Sequence, residues 1–365
     1  MIRVAIIGTG SIAASHLEAY SLFPERCQIA ALINRHEAKA VQLRDRFELG
    51  CRIVQDYHEL LESGEADLVS ICTPPHSHAE IAADCLRAGM HVLVEKPMAM
   101  SLEECDRMLE AAESTGSLLS VVGQNRFLDS YMRLKHTLDS GLAGKIVHSQ
   151  TDAFWWRGGS YYDVWWRGTW EQEGGGCTLN HGIHHLDLLQ WMLGMPRSVQ
   201  AVMSNTSHEN SEVEDLSVAI LSYPGGGLAQ VTSSVVHHGE ERQMIFQGQL
   251  ARISSPLAIY ATTQLENGFP KRNPALEKEI KRVHDSLQPL RYSGHAGQID
   301  NVLEALENNS RQVLIDGYEG RKMIELVTAI YEAAITKSAV ELPLGRESRF
   351  YSREGLLHRA PRYHT

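Results

Sequence analysis

The stretch His91-Val92-Leu93-Val94-Glu95-Lys96-Pro97 decides how this chain is read. A short valine- and leucine-rich run, as in a strand buried on both faces, ends in a carboxylate, an ammonium and a proline that stops the strand. Nearer the amino terminus, Val4-Ala5-Ile6-Ile7 leads in the same way into Gly8-Thr9-Gly10-Ser11-Ile12-Ala13. Strand, Gly-x-Gly turn and helix start together read as a phosphate cradle. The first glycine permits the tight turn, the second lets backbone approach a pyrophosphate, and the helix amino terminus adds N–H groups and a positive dipole end. Ligands in open α/β sheets bind outside the carboxyl ends of the strands. Lys96, at the end of a later strand, is therefore expected to face the reactive end of a bound dinucleotide, and the pairing suggests nicotinamide chemistry on an alcohol or ketone.

Working outward, residues 1–123 alternate short apolar runs with helical spacing, as parallel βαβ units do. Strands are expected at Val4–Ile7, Ile29–Ile33, Leu68–Cys72, Val92–Val94 and Leu119–Val122, with helices at Ile12–Leu22, Glu37–Phe47, Ile81–Ala88 and Leu102–Ala112. From Gln124 the character changes. After a helix over Tyr131–Ser140, strands are expected at Ile146–Trp156, Val199–Asn205, Leu216–Tyr223, Leu228–Val236 and Met244–Gln247. Helices at Gly297–Asn308 and Tyr318–Ser338 follow. Consecutive strands without intervening helices predict a largely antiparallel open sheet. The expectation is a Rossmann-type α/β domain over residues 1–123 and an α+β domain over 124–365 for substrate binding and self-association. Asn267–Asn273 has loop composition.

A chain of 365 residues with 43% apolar content can fill two cores. Its formal charge of −11 argues against nucleic acid or an anionic membrane surface as partner, since both require a basic face. Six cysteines without paired or CxxC spacing fit reduced thiols in the cytoplasm. No apolar run is long enough for a membrane span, and Met1-Ile2-Arg3 leads directly into the first strand rather than a secretory signal.

The end of the second strand separates NAD from NADP. A carboxylate there would bind the ribose hydroxyls and repel a 2′-phosphate. The residues are instead Asn34-Arg35-His36, a donor and a guanidinium, which favours NADP; the competing reading makes Arg35 a solvated helix-start residue. Between Tyr161 and Trp170, three more aromatic residues, Tyr162, Trp165 and Trp166, precede Arg167. Such a wall suits the C–H face and hydroxyls of a pyranose or cyclitol, with Tyr162, Trp166 and Arg167 as the contacts; an aromatic core or subunit contact is the alternative. Farther on, Asn180, His184, Asp187 and Trp191 share one stripe of a helix whose other face is Leu179, Ile183, Leu186, Leu189 and Leu193. His181, His184, His185 and Cys177 raise a zinc reading, but no carboxylate is placed to complete the ligand set, so no metal is expected.

Across nearly its whole length the chain resembles the glucose–fructose oxidoreductase and inositol dehydrogenase family, Gfo/Idh/MocA. The likeness rests on Ile71-Cys72-Thr73-Pro74-Pro75-His76-Ser77-His78, the Glu-Lys-Pro tripeptide, Gly174-Gly175-Gly176 followed by His184, and Val340-Glu341-Leu342-Pro343. The resemblance implies an NAD(P)-dependent oxidoreductase of a sugar or cyclic polyol, homodimeric or homotetrameric through the second sheet. Lys96 and His184 would be catalytic, and Lys96–Pro97 would be a cis peptide. Cofactor contacts would come from Gly8, Thr9, Gly10, Ser11, Ile12, Asn34, Arg35, Thr73, Pro74, His78, Glu95, Lys96 and Gln124. Asn125, Tyr162, Trp166, Arg167, Asn180, His181, His184 and Lys96 would line the substrate site. Asn180 departs from the aspartate usual in inositol dehydrogenases, so an Asp–His relay is not available; its amide is expected to meet a substrate hydroxyl or orient His184. A glycosidase that uses transient oxidation, or a non-catalytic sugar- or cofactor-sensing regulator, would share the fold.

Overall fold

The computed structural model describes residues 1–364. Six strands, β1 (Ile2–Ile7), β2 (Cys27–Ile33), β3 (Arg52–Val54), β4 (Leu68–Ile71), β5 (His91–Val94) and β6 (Leu119–Val121), form one sheet in the order 3-2-1-4-5-6. Every pair in it is parallel. Covered on both faces, the strands carry continuous apolar runs: Val4, Ala5 and Ile6 are fully buried, as are Val92 and Val94. The strand order reverses between β1 and β4. A crevice therefore opens where the Gly8 turn and the Cys72–Thr73 segment leave the sheet side by side. The third strand was not expected. Its three residues are too few to show a period, and the helix that follows (Tyr57–Ser63) is fixed by Asp56, whose carboxylate accepts the His58 N–H.

The second sheet has nine strands. These are β7 (Ile146–Phe154), β8 (Ser198–Ser204), β9 (Leu216–Ser222), β10 (Leu228–Ser234), β11 (Arg242–Gly248), β12 (Ala251–Ser255), β13 (Ala258–Gln264), β14 (Pro270–Arg272) and β15 (Val340–Glu341). They lie in the order 14-13-12-11-7-10-9-8-15. One pair departs from the antiparallel expectation: β7 and β10 run parallel, in register from His148–Leu228 to Phe154–Ser234. The long helical crossing after β7 explains this, because strand direction here is set by a crossover and not by a hairpin. The loop composition of Asn267–Asn273 likewise conceals β14, an exposed edge strand paired with β13.

The two ends of the chain share cores. The helix His295–Glu307 places Ile299, Val302 and Leu303 in one cluster with Val4, Ile6 and Leu17 of the first sheet and its first helix. Behind β6, Ser120 Oγ donates to the Ile315 carbonyl at 2.8 Å. The boundary at residue 123 thus separates the sheets but not the packing. On the open face of the second sheet, Val202, Val218, Ile220 and Leu228 stand exposed on three adjoining strands.

Candidate active site

The Gly8 turn is tailored to the crevice. Gly8 has φ +92°, and a Cβ there would lie 2.8 Å from the Cys72 carbonyl carbon and oxygen. At Gly10 a Cβ would meet nothing within 4 Å, so open space faces the start of the helix Ser11–Tyr20. That helix has neither a side-chain cap nor an acidic residue in its first turn. Free N–H groups, a positive dipole end and room for an oxyanion fit a dinucleotide pyrophosphate. At the end of β2, the Asn34 amide donates to Thr9 Oγ1 at 2.5 Å and its Oδ1 accepts the His36 N–H at 2.8 Å. Asn34 therefore braces the glycine loop from the side where a 2′-substituent would lie. Arg35 is exposed and makes no ion pair among the described residues. Across the crevice, Gln124 Oε1 is buried without a partner just past β6, in the 3-10 turn that also holds Asn125. An orphaned acceptor of this kind calls for a ligand donor.

Thr73 and Pro74 follow β4 at the crevice, but His78 departs from its expected cofactor contact. Its ring is 1% exposed, with Nδ1 2.8 Å from the Pro97 carbonyl and Nε2 2.7 Å from the Thr73 carbonyl. Burial holds its pKa below the ordinary histidine value. His78 clamps the loop and the cis Lys96–Pro97 peptide from beneath and has no free nitrogen for a dinucleotide.

Glu95 and Lys96 leave β5 in opposite roles. The Glu95 carboxylate is buried; Oε1 lies 2.9 Å from His16 Nε2 and 3.5 Å from His295 Nε2, while Oε2 accepts the Lys96 N–H at 3.1 Å. Burial opposes its charge, yet the two histidines hold its pKa well below the usual carboxylate range. Among the described residues this trio is the group with metal-ligand spacing, its atoms within 4.8 Å of one another. Cys177 and the other histidines form no such group: the Cys177 thiol points to the Ser233 carbonyl on β10. Lys96 Nζ reaches across to the Asn180 carbonyl oxygen at 3.0 Å. Burial lowers its pKa, and the Glu95 charge is the largest opposing influence.

The segment carrying Asn180 and His184 starts as a π-helical turn (Thr178–Gly182) and continues as the α-helix Ile183–Leu193. Glu214, fully buried, anchors its start by accepting the Gly176 N–H at 2.9 Å, the Thr178 N–H at 3.0 Å and the Tyr331 hydroxyl at 2.9 Å. The close approach explains the glycines, since a Cβ at Gly176 would lie 1.9 Å from the Glu214 carbonyl oxygen. The π turn has one residue more than an α turn, so it offsets Asn180 from the stripe of His184 and Asp187, which follow in the regular α-helix. His184 is partly buried beside Lys96, and burial followed by the Lys96 charge drives its pKa well below the ordinary histidine value. Asp187 turns inward instead, where Arg126 holds it through Nη2–Oδ1 at 2.6 Å and also pairs with Glu319. Asn180 likewise departs from expectation. Its amide donates to the Gly175 and Gly176 carbonyls at 2.9 and 3.2 Å, so it closes its own turn, and its main-chain carbonyl is what meets Lys96.

The aromatic wall forms with different members. Tyr162 is 7% exposed and packs edge-on against His208, inside the fold. Tyr161 takes its place, with its ring 5.7 Å from that of His181 and its hydroxyl bonded to Arg167. The Arg167 guanidinium lies over Tyr161 at 4.0 Å and over Trp166 at 4.2 Å, and pairs with the buried Glu173 at 3.1 Å. Burial lifts Glu173 to about 7. His181 is buried, with Nδ1 unpartnered; burial and then the charges of Lys96, Arg157 and Arg167 push its pKa well down. Trp155, missed in the sequence, lies 5.7 Å from His181. Its position at the end of a strand reads as core alternation, and only the tertiary fold turns it toward the helix.

Two family descriptions match the chain: the oxidoreductase family NAD-binding Rossmann fold over residues 2–122, and the GFO/IDH/MocA C-terminal domain over residues 131–254. The chain is 28% identical to inositol 2-dehydrogenase 2 of Saccharopolyspora erythraea over 310 residues, covering 81% of this chain and 86% of the relative. It is 26% identical to D-glucoside 3-dehydrogenase of Escherichia coli, covering 93% and 97%. Among solved structures, the WlbA dehydrogenase of Bordetella pertussis, in complex with NADH and UDP-GlcNAcA, superposes with a TM-score of 0.81 at 27% identity, over 94% of this chain and 98% of that one. Both domains in order, on a site whose glycine cradle, Glu-Lys-Pro tripeptide and helix histidine stand around one crevice, make this chain a member of the Gfo/Idh/MocA family of NAD-binding oxidoreductases.

Proposed function

We propose that the protein oxidises a secondary ring hydroxyl of a sugar, sugar derivative or cyclic polyol, or reduces the corresponding ketone. The observation that carries this reading is the meeting of Lys96 with the helix bearing His184, at the carboxyl edge of the parallel sheet and beside the aromatic–arginine wall. Bound in the crevice, the nicotinamide supplies the hydride-exchanging carbon. Lys96, an ammonium held by the Asn180 carbonyl, donates to the reacting oxygen and stabilises developing alkoxide charge. His184, kept neutral by burial and by Lys96, accepts the hydroxyl proton in oxidation and returns it in reduction. Glu95, fixed by His16 and His295, holds the Lys96 backbone.

The missing carboxylate at the end of β2 and the exposed Arg35 favour NADP over NAD. The exposed apolar residues on β8, β9 and β10 support a homodimer or homotetramer through that sheet face. No helix among the described residues is long and apolar enough to cross a membrane; six free thiols support a cytoplasmic location. The test is a sugar and cyclitol panel with both cofactors, followed by nicotinamide absorbance. Stoichiometric cofactor reduction supports the dehydrogenase. Sugar cleavage without net reduction would instead identify the glycosidase, and binding without either reaction a sensor.

A further inference from the structure

Beyond Lys96 and His184, the cleft wall gathers polar atoms that the protein itself leaves unanswered. Trp155 Nε1, His181 Nδ1 and both ring nitrogens of His185 are buried with no hydrogen-bond partner. Buried polar atoms are normally paired, and each orphan costs about as much as a lost hydrogen bond, so a cluster of them marks a place where a ligand completes the bonding. Two of these rings adjoin, Trp155 lying 5.7 Å from His181, and the Arg242 guanidinium lies 4.5 Å from the centre of Trp155; His185, four residues after His181, packs edge-on against Tyr131 at 6.5 Å.

The sign of the missing ligand follows from what surrounds the cluster. Arg157 lies 5.2 Å from the Trp155 ring and Arg167 4.0 Å from Tyr161. Arg157 is paired with Glu240 at 2.7 Å and Arg167 with Glu173 at 3.1 Å, whereas Arg242 has no ion pair among the described residues. Lys96 adds a further positive charge that acts on His181. Both histidines are held neutral, His185 with a pKa of about 4, so each can donate one N–H without adding charge. Indole and imidazole N–H groups beside a guanidinium without an ion pair form an acceptor-seeking wall in a chain whose net charge is −11, with the Glu240 carboxylate the nearby opposing charge, itself paired with Arg157.

On the reading that the substrate is a sugar, we propose that it carries an anionic oxygen group, a carboxylate as in a uronic acid or a phosphate ester, bound by Arg242 with Trp155 Nε1 and the neighbouring His181. The anion selects the substrate.

The experiment compares three matched probes on the whole enzyme: glucose, glucuronate and glucose 6-phosphate, as free sugars and as methyl glycosides. Binding is measured by calorimetry and, separately, turnover by cofactor absorbance. Arg242 is exposed at the start of β11, so Arg242→Gln should fold normally. Wild-type enzyme should bind one of the anionic probes about 10–100-fold more tightly than glucose. Arg242→Gln should remove that preference through KM and leave kcat and glucose binding unchanged; Trp155→Phe should weaken the same probe while keeping the ring. Preference for either anion supports the site, and their ratio names the group. Equal binding of all three, or an Arg242→Gln loss shared by glucose, overturns it. Because binding is read apart from turnover, an enzyme that binds the anion but oxidises no sugar would refute the dehydrogenase reading and leave the anion site standing.

Discussion

Replacing Lys96 by methionine keeps an unbranched side chain, one atom shorter, and removes its charge, and three consequences can be worked out separately. The Asn180 carbonyl loses the donor that lies 3.0 Å away, which costs about 1–3 kcal/mol of stability when the acceptor stays buried and unpaired. The reacting oxygen loses its stabilising donor, which raises the barrier by about 2.7–4 kcal/mol and lowers kcat ~10²–10³-fold. The third effect has a definite sign. Burial and the Lys96 charge both hold the His184 pKa down, so removing that charge moves it upward. Oxidation requires the neutral imidazole, and activity falls away below the His184 pKa. The acid limb of the oxidation rate should therefore appear at higher pH in Lys96→Met than in wild type. Measuring kcat against pH in the oxidation direction, together with a fluorescence titration of reduced cofactor, tests all of this. Cofactor affinity should stay close to wild type, because the pyrophosphate is held at the glycine loop. A variant with unchanged kcat and an unmoved limb, weakened only in substrate binding, would refute the assignment.

His184→Ala should remove the acid limb and lower the oxidation rate roughly 10²–10⁴-fold, the span of a general base; an alanine variant that keeps its limb points to another base. Asn34→Asp should penalise NADP far more than NAD in kcat/KM, because a carboxylate beside Thr9 would face the 2′-phosphate; a wild type that already prefers NAD strongly defeats the NADP reading. Asn180→Asp should destabilise the fold, since a carboxylate would replace a donor that serves the Gly175 and Gly176 carbonyls; an unchanged melting temperature would show that the turn does not need those bonds. Arg126→Met leaves Asp187 buried without its guanidinium and should cost about 3–5 kcal/mol in denaturant unfolding, whereas a loss within experimental error would mean that the pair is not structurally coupled.

The order of strands and helices around Gly8 and Lys96 could be read from the chain because each element there carries its own signal: continuous apolar runs, a glycine turn and a proline at a strand end. That Lys96 and the helix bearing His184 would meet was expected from motifs spread along the whole chain, and the structure brings them together. What local signals do not carry is the direction in which a side chain turns once elements pack. Asp187 and His184 occupy one predicted stripe, yet a buried arginine from beyond β6 claims Asp187 for the core. Tyr161 and Tyr162 are neighbours of the same type, and only the contact with His208 decides that Tyr162 is the buried one. Asn180 was read as a side chain facing substrate, but two glycine carbonyls nearby claim its amide. The parallel pairing of β7 and β10, the return of the helix His295–Glu307 to the first core, and the orphaned nitrogens around Trp155 all join residues far apart in the chain. The sequence by itself determined the two-sheet plan and the residues that stand at one strand end, because both are written in neighbouring residues. The aromatic–arginine wall was decided by tertiary packing, because burial and charge pairing there depend on partners that no local pattern specifies.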